Sequence, residues 1–77
     1  MSQRIPRLKP KEVVSALKRA GFYIHHQVGG HIQLRHELKH HLRVTVPFHS
    51  DFDLPPSLVA SILRQSELSR EEFLKII

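Results

Sequence analysis

Apolar residues recur at two periods along this chain, and each change of period predicts a new element. Val13, Leu17 and Ala20 repeat every three or four residues after Pro10, the period of one helix face. Proline suits a first helical position, and Glu12 lies where the positive end of a helix dipole favours an acid. Gly21 supplies a left-handed stop, with Phe22 following as a packing residue. Lys9 is a poor N-cap, so the pattern marks the end of this helix better than its start.

From Phe22 the period drops to two. In residues 22–28 the alternation predicts Phe22, Ile24, His26 and Val28 on one face of a strand, with Tyr23, His25 and Gln27 on the other. After the Gly29-Gly30 turn, Ile32 and Leu34 oppose His31, Gln33 and Arg35; in residues 41–46, Leu42, Val44 and Val46 oppose His41, Arg43 and Thr45. Three such strands read as an antiparallel meander with one buried and one wet face. The wet face is expected to display Tyr23, His25, Gln27, His31, Gln33, Arg35, His41, Arg43 and Thr45. A polar connection spans residues 37–40, and Pro47 is expected to end the third strand because it has no ladder donor.

The helical period returns after Pro55-Pro56, where Leu58, Ile62 and Val59 or Leu63 form a stripe that would cover the buried sheet face. Ser69 and Glu72 then form a capping box, and Leu68 and Phe73 a hydrophobic staple, with Leu74 and Ile77 expected to pack inward. The order predicts a two-layer α+β fold: helix, three-stranded antiparallel sheet, helix, and a short C-terminal helix. Residues 1–77 read as a single domain, with 1–9 as a short arm carrying Arg4, Arg7 and Lys9.

A chain of 77 residues builds one thin core and no deep cleft, which places any function on an exposed face. Its formal charge of +5, from 12 Lys and Arg against 7 Asp and Glu, favours a polyanion such as nucleic acid, or an acidic protein. The absence of cysteine excludes disulfides and thiolate metal sites and suits a reducing cytoplasm. With no long apolar span and no signal-peptide core at its start, the chain is expected to be soluble, cytoplasmic and free of membrane association.

The wet face suits RNA. Arg35 and Arg43 can grip phosphate bidentately, Tyr23 can stack, Gln33 and Thr45 can reach sugar or base edges, and Gly29 and Gly30 allow close approach. RNA also carries its own nucleophile: a neutral imidazole at His31 can take the proton of a ribose 2′-hydroxyl while nearby cations stabilise the charge on the attacked phosphate. The competing reading is a solvated sheet face with an ordinary surface histidine. His25 and His26 should point to opposite faces and not share a metal, and His36, His40 and His41 lack regular zinc-ligand spacing, so neither metal nor cofactor is expected. His49 either reaches a substrate edge or bonds to the loop holding Asp51 and Asp53.

Several of these pieces resemble one family in order and spacing. They are Ala20-Gly21-Phe22, Gly29-Gly30-His31, Val44-Thr45-Val46-Pro47-Phe48-His49, the run from Leu58 to Gln65, and Glu72-Phe73. From about Lys11 to the C-terminus the chain is similar to the HicA toxins, the messenger-RNA-cleaving halves of toxin–antitoxin pairs. The resemblance implies a fold like that of double-stranded-RNA-binding domains, a catalytic histidine at the position of His31, ribosome-independent RNA cleavage, and neutralisation by a HicB-like antitoxin. The family usually has serine where this chain has Gly30. The resulting expectation is an endoribonuclease toxin using His31 as general acid/base, with Arg35, Arg43 and Lys39 on phosphate. The alternatives are a non-catalytic RNA-binding module of the same fold, whose duplex-binding lysines are missing from residues 54–58, and a purely protein-binding subunit.

Overall fold

The computed structural model describes residues 4–48 and 52–77. Helix α1 runs Pro10–Arg19, strands β1, β2 and β3 run Phe22–Val28, His31–His36 and Arg43–Pro47, and helices α2 and α3 run Pro56–Ser66 and Arg70–Leu74. Lys9 has only donors on its side chain and cannot cap α1; instead its backbone N–H donates to Glu12 Oε1 at 2.8 Å. Residues 8 and 9 are held to the far side of the chain. Leu8 is buried, its carbonyl accepts from Leu54 N–H at 2.8 Å, and Lys9 pairs with Asp53 at 3.6 Å.

The end of α1 is built from Gly21 and His36 together. Gly21 adopts φ +101°, which only glycine takes without strain. Its bare Cα lets the His36 ring in so close that a Cβ there would lie 2.7 Å from Nε2. Nε2 donates to the Ala20 carbonyl at 3.0 Å, a helix-end acceptor, while Nδ1 accepts from Leu38 N–H and Lys39 N–H at 3.1 and 3.0 Å. That pattern fixes the neutral tautomer protonated on Nε2. His36, given no role by the sequence pattern, is a structural clasp between helix and hairpin, and its ring also meets Phe22 edge-on at 4.8 Å.

The three strands form an antiparallel sheet in the order β1-β2-β3, as the alternation predicted. Within β1 the alternation breaks. Ile24 pairs with Leu34, but the next paired residue is His26, opposite Gln33, so His25 is an extra residue in a β-bulge. Residues directly opposite one another share a face. Phe22 and Ile24 therefore lie on the helix side as expected, whereas beyond the bulge His26 and Val28 join Gln33 and His31 on the open face, and Gln27 joins Ile32 on the other. The expected faces of His26, Gln27 and Val28 are thus reversed, and Val28 is 59% exposed.

β3 starts later than expected and ends at Pro47, as expected. His41 lies in the turn before it and pairs with Glu67 at 3.4 Å, so it leaves the wet face; Pro47 is the last residue of the strand, opposite His31. β3 is an edge strand, and Thr45 N–H points outward to Gln65 Oε1 of α2 at 3.0 Å. Two residues on, Pro47 takes the same outward orientation, where a missing N–H costs no ladder bond.

One core joins the layers: Val13, Leu17 and Ala16 of α1, Ile32, Leu34, Val44 and Val46 of the sheet, and both Val59 and Leu63 with Ile62 of α2. The C-terminal signature forms as read, with Glu72 N–H donating to Ser69 Oγ at 3.0 Å and Ser69 N–H to Glu72 Oε1 at 2.9 Å. These bonds, with the charges of Lys39 and Lys75 behind them, hold the Glu72 carboxyl below its ordinary pKa. Phe73 is fully buried and Leu74 half-buried, but Ile76 packs on the core in place of Ile77, which is 39% exposed. Among the described residues no helix is long and apolar enough to cross a membrane.

Candidate nucleic-acid interface

The sheet leaves its second face uncovered, and the strand sequences decide its chemistry. β1, β2 and β3 contain no aspartate or glutamate. Cross-strand pairing arranges the open face in three rows: Tyr23, Arg35 and Arg43; then His26, Gln33 and Thr45, with the bulged His25 beside them; then Val28, His31 and Pro47. Arg35 and Arg43 are direct partners on neighbouring strands. Like charges opposite one another destabilise a sheet, and among the described residues neither guanidinium has an ion-pair partner. Two planar guanidinium forks side by side have the geometry that suits phosphate.

His31 stands at the first position of β2, exposed, directly after the two-glycine turn. Gly29 takes φ +55° and Gly30 does not take a positive φ, the pattern of a type II′ hairpin turn. The turn is held on both flanks, by the Val28–His31 pair and by Phe48 N–H donating to the Gly30 carbonyl. The imidazole therefore projects from fixed backbone. Gln33 and Arg35 follow it on the same face at intervals of about 7 Å. Between the arginines and the middle row lies a shallow depression of about 280 Å³, lined by His25, Gln33, Arg35, Arg43 and Thr45 over a floor of Leu34 and Val44.

Of the residues singled out from sequence, Tyr23, His31, Gln33, Arg35 and Arg43 share this face, with Gly29 and Gly30 at its rim. Lys39 does not join them. It lies in the loop beyond β2, near enough to α3 for its charge to act on Glu72. His49 falls outside the described residues. Sequence reading left out His26, which the bulge brings over, and gave His25 no role although it lines the depression. No group of three or more metal-binding side chains forms among the described residues.

A protein-family model described as HicA toxin of bacterial toxin-antitoxin matches residues 10–68. The chain belongs to the HicA toxin family. The match covers α1, the whole sheet and α2, so the open face lies inside the HicA-like region, while α3 lies beyond it. HicA membership makes the protein the toxin member of a toxin–antitoxin system, in a family known for cleaving mRNA, and implies an antitoxin partner. Comparison with curated proteins found no match. The helix, three strands and helix of the structure are compatible with the double-stranded-RNA-binding layout that the HicA resemblance implied.

Proposed function

We propose that this toxin is an endoribonuclease that cleaves mRNA on the open face of its sheet. The observation that carries the reading is the direct pairing of Arg35 and Arg43, which have no ion-pair partner among the described residues, on the same face as His31 and on strands that carry no acid. An RNA strand laid across the face has phosphates on the guanidiniums, Tyr23 against a base, and Gln33 within reach of sugar or base edges. His31 then takes the proton of the 2′-hydroxyl as that oxygen attacks the adjacent phosphorus, and the neighbouring cations stabilise the added charge. The chemistry draws on imidazole and guanidinium, without metal or cofactor. A HicB-like antitoxin neutralises the toxin by covering the same face.

The test compares the purified protein with its His31→Ala variant on a defined RNA, with and without EDTA. Wild-type cleavage unaffected by EDTA, reduced about a hundred- to ten-thousand-fold in the variant, is expected. Equal cleavage by both proteins removes His31 from the mechanism. Salt-sensitive binding by both, with cleavage by neither, assigns the face to RNA binding alone.

A further inference from the structure

The bulge in β1 does more than keep Phe22 and Ile24 on the helix side: it also places a second imidazole beside the arginine pair. His25 is the inserted residue, and it lines the depression with Gln33, Arg35, Arg43 and Thr45, whereas His26 does not. Bulges recur beside active sites because they re-aim a side chain. Gln33 lies between the two imidazoles: His31 stands two residues before it on the same strand, and His25 is the unpaired bulge residue beside its β1 partner His26. A phosphodiester seated over Gln33 has an imidazole on each of two sides and the guanidiniums at a third.

Resting on the nuclease reading above, we propose that His25 is the general acid that protonates the leaving 5′-oxygen. In the step, the ribose 2′-oxygen forms a bond to phosphorus and gives its proton to His31. The bond from phosphorus to the 5′-oxygen breaks, its electron pair stays on that oxygen, and the proton held by His25 is transferred there. The products are a 2′,3′-cyclic phosphate and a 5′-hydroxyl, and proton exchange with water restores both histidines. In-line displacement puts the entering and leaving oxygens on opposite sides of the phosphorus, which is why base and acid must approach from different directions. His31 and His25 reach the region of Gln33 from different strands, β2 and β1.

The experiment uses two RNAs of one sequence, one natural and one with sulfur replacing the 5′-oxygen at the cleavage site, whose thiolate leaves without a proton. His25→Ala and His25→Gln are expected to lose about a hundred- to ten-thousand-fold on the natural RNA and to cleave the sulfur RNA within a few-fold of wild type. His31→Ala is expected to be slow on both. His25 variants that retain folded circular dichroism and are equally slow on both RNAs, or cleave natural RNA at the wild-type rate, overturn the acid role while leaving the nuclease reading standing. Failure of the wild-type protein to cleave either RNA overturns both.

Discussion

Gly21 and His36 occupy adjoining space that a single methyl group would close. A Gly21→Ala substitution combines the left-handed φ with a Cβ 2.7 Å from the imidazole, so it is expected to destabilise by about 1–3 kcal/mol, read as a lower midpoint in urea. Replacing His36 by Ala as well removes the steric part and leaves the backbone part, so the double variant should lose less than the sum of the single changes. Gly30 behaves differently because its φ is not positive. Gly30→Ser is expected to keep the fold, to raise stability by a few tenths to about 1 kcal/mol through a less flexible unfolded chain, and to retain cleavage. A fall in melting temperature would show that position 30 needs glycine after all. Residue identity made Gly21 legible from sequence as a helix stop. The partner that makes it indispensable was not legible, because His36 is fifteen positions away and arrives only through strand pairing.

At the scale of elements, the bulge is the feature that strict alternation misread, and the conflict that demands it is present in the chain. A two-residue turn pairs Val28 with His31, and an unbroken ladder from there would place Tyr23, His25 and Gln27 over the helices and turn Phe22 and Ile24 to solvent. One extra residue repairs the parity: seven residues of β1 match six of β2, from Val28 opposite His31 to Phe22 opposite His36. Counting from the turn would have exposed the mismatch, although not its position. The third helix was legible outright because its signals are local. Ser69→Ala is expected to cost about 1 kcal/mol. Since the folded Glu72 carboxyl titrates below its ordinary range, its stabilisation is present at neutral pH and is lost as pH falls from the ordinary glutamate range through the folded value. Thermal melts of wild type and Glu72→Gln should therefore converge in acid; a gap independent of pH would count against the carboxylate as the cause.

For the molecule as a whole, charge is separated by face. The strands carry no acids, whereas Glu67, Glu71 and Glu72 gather at the C-terminal end of α2 and on α3. Overall composition indicated a polyanion, but only the pairing of strands put Arg35 and Arg43 side by side. Replacing either by Ala is expected to weaken RNA binding across sequences and reduce the slope of log affinity against log salt by about 1. An unchanged slope would take that side chain off the phosphate backbone. The loop containing Lys39 supplies a comparison, since charge facing α3 should leave the slope nearly unaltered in Lys39→Ala.

The two borders of the sheet also differ. Gln65 occupies the outward N–H of Thr45, and Pro47 offers none, whereas no side chain among the described residues bonds to the outer border of β1. A sheet open on both borders can recruit copies of itself without end; one open on a single border runs out of partners after the first. Gln65 and Pro47 therefore make the β3 border a poorer template for an added strand than the β1 border.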